Sequence, residues 1–410
     1  MIDVRAHLAR KPLLFDGGMG TYYKAKPGTE CEQGNLLDPA GVRKVHREYL
    51  EAGAEAIKTN TFGLPRMAAA RQPDWQALAR AGWKLAAEAA VETGAAVFAD
   101  LGPAPDTEAA PAGSIYTAVA RCFVEQGAKN FLFETLSSDA GVLEAVQAVK
   151  AQVPDAFVLV SFAVLPDGYT REGMYSKDLV RRMTESGIVD AVGFNCVSAP
   201  GAMRTLVQQL GSTALPLSVM PNAGYPVVTR TQVKYQGKPE YFAKELARIA
   251  AEGVRILGGC CGTTPAHIAA LRAALDSLPA VEKAAPAVQV STPEAPTVEK
   301  DDAFLRKLNA GKKVIAIELD SPKDADLTNY LAGAKRLQAA GADLLTIADC
   351  PIARARMDSS LVACRVHREL GLCTLPHMTC RDRNLNATKA LLLGLYAEGV
   401  REVLAITGDP

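Results

Sequence analysis

The first 280 residues alternate short apolar runs with longer amphipathic stretches. The apolar runs lie at 13–18, 56–61, 96–102, 130–136, 156–164, 191–196, 216–223 and 254–261. Each is mostly β-branched or aromatic and bounded by Gly, Pro, Asn or Asp, as buried parallel strands are. The stretches between them, 40–52, 75–93, 114–127, 139–151, 176–186, 200–210, 240–252 and 265–277, predict helices. Ser114, Ser138, Ser176 and Thr264 are candidate N-caps, and Pro265 suits the first helical position after Thr264. An open doubly wound sheet would alternate in the same way. Eight strand–helix units in about 280 residues instead match the size and closure number of an α/β (β/α)8 TIM barrel.

Residues 281–300 lose this pattern. Pro286, Pro293 and Pro296 exclude a continuous helix, and the Ala, Pro, Val, Glu and Thr content predicts an extended linker. The alternation then restarts, with strands expected at 313–319, 343–348, 374–380 and 402–407 and helices at 324–340, 358–371 and 386–399. The predicted organisation is a complete barrel over 1–280, a linker over 281–300 and a partial second (β/α) barrel over 301–410. Four strands are about half of a barrel. The chain therefore reads as a piece of a longer protein, with 301–410 its less stable part.

Composition narrows the function. The 45 Lys+Arg balance 45 Asp+Glu, which argues against nucleic-acid or polybasic membrane-surface partners. No apolar run is long enough to span a bilayer, and the N-terminus lacks a signal-peptide layout, so a cytoplasmic location is expected. The nine cysteines are odd in number, which favours free thiols or metal ligands over a disulfide framework.

Cys196 ends the sixth predicted strand, and Cys260 and Cys261 end the eighth. All strand C-termini of a parallel barrel meet at one rim, so these thiols can converge on one ion. Sulfur ligands select zinc, and three protein ligands leave a fourth position open, as in catalytic sites. Buried packing thiols and a redox dithiol are the alternatives. Gly258, Gly259 and Gly262 around the pair favour close approach of a ligand.

The segments FDGGMGT (15–21), GAEAIKTNTFG (53–63), GFNC (193–196), MPNAGYP (220–226) and GGCCGTTPAHI (258–268) together resemble the zinc-dependent homocysteine S-methyltransferase family. That family includes the homocysteine domain of cobalamin-dependent methionine synthase and betaine–homocysteine methyltransferase. The resemblance implies zinc on Cys196, Cys260 and Cys261. It implies Asp16 and Glu134 at the substrate amino group, and the Gly17–Gly18 backbone at its carboxylate. Asn222 matches a polar position beside the metal, although Asn-Ala-Gly also suits a turn; Thr59 and Asn60 match without a role. The implied reaction is attack by a metal-activated homocysteine thiolate on a methyl group, giving methionine. The donor would be methyltetrahydrofolate or another methyl compound. The chain has no Asp-x-His-x-x-Gly loop, so a corrinoid, if used, would arrive on a separate protein. A zinc hydrolase and a structural zinc barrel presenting the second domain to a partner are the rival readings.

VIAIELDSP (314–322), PHMTCRDRN (376–384) and VLAITGDP (403–410) resemble the start of a flavin-dependent methylenetetrahydrofolate reductase. This resemblance implies Glu318 as a proton-donating acid and His377, Thr407, Gly408 and Asp409 at a flavin. FAD binding is expected only in a complete second domain, and no reductase activity is expected from residues 301–410 alone.

Overall fold

The computed structural model describes residues 2–26, 28–228, 233–277, 303–381 and 383–407. The chain divides into two compact units, Met1–Val290 and Ser291–Pro410.

The first unit carries eight parallel strands: β1 (Leu13–Leu14), β2 (Ala56–Lys58), β3 (Ala96–Leu101), β4 (Asn130–Leu136), β5 (Phe157–Phe162), β6 (Ala191–Asn195), β7 (Leu217–Met220) and β8 (Ile256–Leu257). Each pairs with its sequence neighbour from β2 to β8, and β8 pairs with β1. A parallel bridge between Phe15 and Ala56 joins the two ends of this sheet. Glu55 N donates to Leu14 O (2.7 Å) and Asp16 N to Ala56 O (3.0 Å) across that seam. This is the predicted (β/α)8 barrel. An antiparallel hairpin, Pro226–Val228 with Val233–Tyr235, is inserted after β7.

Side chains alternate across the barrel wall. Phe15, Phe98, Leu132, Leu159 and Ala191 fill the interior with the N-terminal helix residues Val4 and Leu8. Leu14, Ile57, Val97, Phe131, Val160 and Val192 pack outward against the helices. Period-two alternation then carries polar residues into the interior above the apolar plug: Lys58 follows Ala56, Asp100 follows Phe98, Glu134 follows Leu132 and Ser161 follows Leu159.

All eight predicted helices of the barrel form, but three of the four predicted caps do not hold. Thr264 does cap Pro265–Asp276, in a reciprocal box with His267. Ser114 lies inside Ala112–Val124, whose first free amide, Ala112 N, donates instead to Asp106 Oδ1 (3.0 Å). Ser138 gives way to Gly141, whose φ of +69° starts Val142–Gln152. A Cβ there would approach Gly113 N to 2.1 Å, so packing decides this start. Ser176 is the first helical residue rather than the cap.

The second unit contains β9 (Ala316–Glu318), β10 (Leu344–Ile347), β11 (Cys373–Thr379) and β12 (Leu404–Ile406), all parallel and in sequence order. Helices Thr328–Ala339, Ser359–Leu370 and Leu385–Ala397 alternate with them, preceded by an unpredicted helix, Ala303–Asn309. Tyr330, Leu345, Ile347, Val362, Val366 and Leu395 form its core.

Candidate metal and substrate site

At the C-terminal rim of the barrel, the Sγ atoms of Cys196, Cys260 and Cys261 lie within 4.8 Å of one another. Cys196 Sγ is 3.9 Å from Cys261 Sγ. Sulfurs on a tetrahedral zinc, at about 2.3 Å from it, stand about 3.8 Å apart, so the thiols fit that ion. The backbone holds them there. Cys260 N donates to Pro221 O (2.9 Å), Cys196 N to Met220 O (3.1 Å), and Ala223 N to Cys261 O (2.9 Å). A Cβ on Gly18 would meet Cys260 O at 2.6 Å, which explains glycine at that crossing. Hydrogen bonds from Cys196 and Cys260 pull the Cys261 thiol well below its ordinary pKa, with help from Tyr235 on the hairpin and from Lys58.

Strand-end strain sharpens this rim. Thr135, Cys196 and Val197 have φ of +61°, +59° and +36°, a region that β-branched residues avoid. Asn195, fully buried, braces it. Its Oδ1 accepts from Thr135 N (2.8 Å) and Ser161 Oγ (2.8 Å). Its Nδ2 donates to Thr135 Oγ1 (2.7 Å) and Glu134 Oε2 (3.1 Å).

Beside the thiols lies a cluster of buried charge that the sequence reading only half identified. Asp16 and Glu134 are both buried, as are Lys58 and Asp100, which were not singled out. Lys58 Nζ stands 3.8 Å from Asp16 Oδ1 and 3.7 Å from Glu134 Oε2. Asp16 Oδ2 accepts from Lys58 N (3.0 Å). Burial pushes the Asp16 carboxyl up to about 7, against the pull of Lys58. Burial also raises Glu134 and, with the neighbouring Glu134 charge, Asp100. Burial opposes the Lys58 charge, but Glu134 and Asp16 outweigh it and keep the ammonium protonated. A cavity of about 450 Å³ is lined by Lys58, Asp100, Glu134 and all three cysteines, with Gly18, Thr59 and Asn60 also on its wall.

The remaining predicted residues fall as follows. Gly17 sits against Thr263 and Tyr49, and Gly18 N already donates to Thr263 Oγ1 (3.0 Å). Asn222 is buried with its Oδ1 unpartnered among the described residues, between neighbours that bond the Cys260 and Cys261 backbones. Thr59 Oγ1 accepts from Asp100 N (3.0 Å), and Asn60 bonds Cys31 and Asn35, so both brace the wall. His267 lies in its helix and is held by Thr264 and Gly237 O. In the second unit, Glu318 Oε2 and His377 Nε2 are 4.0 Å apart, and Thr407 O accepts from Arg381 N (3.2 Å). Gly408 and Asp409 lie outside the described residues, as does the linker over 281–300.

The family described as homocysteine S-methyltransferase matches residues 13–275. The chain belongs to this family. A second family, methylenetetrahydrofolate reductase, matches residues 303–410. Among curated homocysteine S-methyltransferase relatives, the methionine synthase of Mycobacterium tuberculosis is 30% identical over 312 residues, covering 69% of this chain and 26% of that protein. The homocysteine S-methyltransferase of Escherichia coli K12 is 29% identical over 296 residues, covering 64% of this chain and 94% of the relative. The chain thus spans about a quarter of the methionine synthases it matches, at 26% and 25% of their lengths. The crystal structure of the homocysteine methyltransferase MmuM from Escherichia coli in its oxidized form superposes with a TM-score of 0.55 at 25% identity, covering 67% of this chain and 99% of that one. Its apo form gives 0.51 at 28% identity, covering 65% and 96%. The family resemblances read from the motifs are therefore correct for both units, and the first unit is an enzyme domain of this methyltransferase family.

Proposed function

We propose that the barrel transfers a methyl group to the thiol of homocysteine, forming methionine, with zinc held by Cys196, Cys260 and Cys261. The observation that carries this reading is the meeting of three thiols with buried Asp16 and Glu134 at one rim. An amino acid that bears a thiol needs both features in one pocket. Zinc, when bound, would supply the acidity that turns a thiol of ordinary pKa about 8.5 into a thiolate at neutral pH.

The protein's own residues do the rest. The acids receive the substrate ammonium, and the interior plug below them keeps water out. The same cavity, lined by the three cysteines, would admit the methyl donor. A sulfur lone pair forms the new S–CH3 bond, and the electrons of the breaking bond to methyl leave with the donor. A folate-type donor, methyltetrahydrofolate directly or through a separate corrinoid protein, is supported by the reductase family match of residues 303–410. In that second unit we assign Glu318 as an acid and His377, Thr407, Gly408 and Asp409 to a flavin edge, on the match of residues 303–410 to the reductase family. A location in the cytoplasm belongs to the same reading; among the described residues no helix is long and apolar enough to cross a membrane.

The test is Cys260→Ala. Zinc content by atomic emission and methyl transfer to homocysteine should be lost together. In the parent protein, homocysteine should shift the zinc X-ray absorption edge. Stoichiometric zinc and full turnover in the alanine variant would overturn the assignment.

A further inference from the structure

The charge inside the pocket is unevenly shared. Lys58 is within ion-pair distance of Asp16 and Glu134. Asp100 has no cation within 4.0 Å among the described residues; its carboxyl shares a hydrogen bond with Glu134, and its Oδ1, on a side chain only 4% exposed, is left without a partner. It nevertheless lines the cavity that holds the thiols. Its backbone is fixed on both sides, with Asp100 N donating to Thr59 Oγ1 (3.0 Å) and Asp100 O accepting from Thr61 Oγ1 (2.8 Å). A buried carboxylate oxygen without a partner costs stability unless a ligand completes it. An ammonium that enters beside Asp16 and Glu134 finds their charge partly offset by Lys58. Asp16 Oδ1 is likewise without a hydrogen-bond partner, but Asp100 is the acid of the three with no cation within ion-pair distance among the described residues.

We propose that Asp100 is an ammonium-binding carboxylate of this pocket, and that Lys58 opposes it, the two together setting the preference for a thiol that also carries a cationic amino group. This rests on the reading of the pocket as a homocysteine site and adds two residues to it. Low polarity inside the barrel makes each charge count more than it would in water. Removing Asp100 therefore weakens the pull on an ammonium, while removing Lys58 strengthens it. A purely structural role would damage binding in the same direction for both.

The test is isothermal titration calorimetry on the zinc-loaded full chain, with homocysteine and with 4-sulfanylbutanoate, which is homocysteine without its amino group. The readout is the ratio of the two Kd values in the parent, D100N, K58M and the double variant. D100N should lower the preference for homocysteine at least tenfold, K58M should raise it, and the double variant should return to within threefold of the parent. A D100N ratio within twofold of the parent, or a K58M variant that loses preference as D100N does, overturns the proposal. Failure of the parent to bind either thiol would instead overturn the homocysteine reading beneath it.

Discussion

At the scale of single residues, burial without a partner recurs among the side chains of the site but is not confined to them. Asp16, Asp100 and Asn222 each keep an unpartnered buried oxygen at or beside the rim. His46 shows the same feature away from it. It is fully buried on helix Pro39–Glu51, and neither ring nitrogen has a partner among the described residues. Burial lowers its pKa to about 4. The unfolded chain binds this proton below about 6.5 and the folded one only near 4, so stability falls as pH drops through that window. The loss approaches about 3 kcal/mol by pH 4 at 1.36 kcal/mol per unit. Asp16, whose folded pKa is raised, works in the opposite direction between its ordinary value and about 7. Denaturant unfolding of His46→Leu against the parent from pH 7 to 4 separates the two: the variant should lack the His46 loss. Parallel stability curves would reject this account of His46. The three thiols were legible in the sequence because strand ends share a rim. Lys58 and Asp100 were not, because the runs around them read as uniformly buried strands. The available signal was parity: a charged residue two positions after Ala56 or Phe98 must enter the barrel if those residues do.

At the scale of elements, strand and helix order followed from the alternation of short, bounded apolar runs with amphipathic stretches, whereas helix starts did not. A serine near a helix start is a local signal, and in Ala112–Val124 and Val142–Gln152 it lost to contacts distant in sequence, through Asp106 and through Gly113 packed on Gly141. Strands β1 and β8 are shorter than their apolar runs, yet the residues that follow stay bonded to their neighbours, Asp16 N to Ala56 O (3.0 Å), Gly259 N to Asp16 O (3.0 Å) and Cys260 N to Pro221 O (2.9 Å). Thr264 is the cap where local and tertiary signals agree, since His267 both completes the box and bonds Gly237 O (3.1 Å). Thr264→Ala should therefore cost about 1 kcal/mol, the usual value of a lost N-cap, measured by urea unfolding. Because Thr263 and the cysteines precede this helix directly, zinc content should stay unchanged if the cap only stabilises the helix. Loss of zinc at full stability would show that the cap positions the ligands instead.

At the scale of the whole molecule, the two units differ in how much apolar surface they cover. Eight of the fourteen exposed large apolar side chains among the described residues belong to the second unit, Leu392, Leu393, Tyr396 and Leu404 among them. Its outer strands β9 and β12 are largely exposed, while every residue of β3 and β5 in the barrel is buried. Apolar burial supplies the main favourable term in folding, so the second unit should open first. Hydrogen exchange read by mass spectrometry at rising temperature can assign the order. Amides of Leu344–Ile347 and Cys373–Thr379 should lose protection in a lower transition, while those of Phe157–Phe162 and Ala191–Asn195 stay protected to a higher one. Because the zinc ligands all belong to the barrel, homocysteine and zinc together should raise only the upper transition, by mass action on the folded state. A single transition in which both sets exchange together would show that the units are thermodynamically coupled, and the exposed apolar face of the second unit would then need a covering contact to explain it.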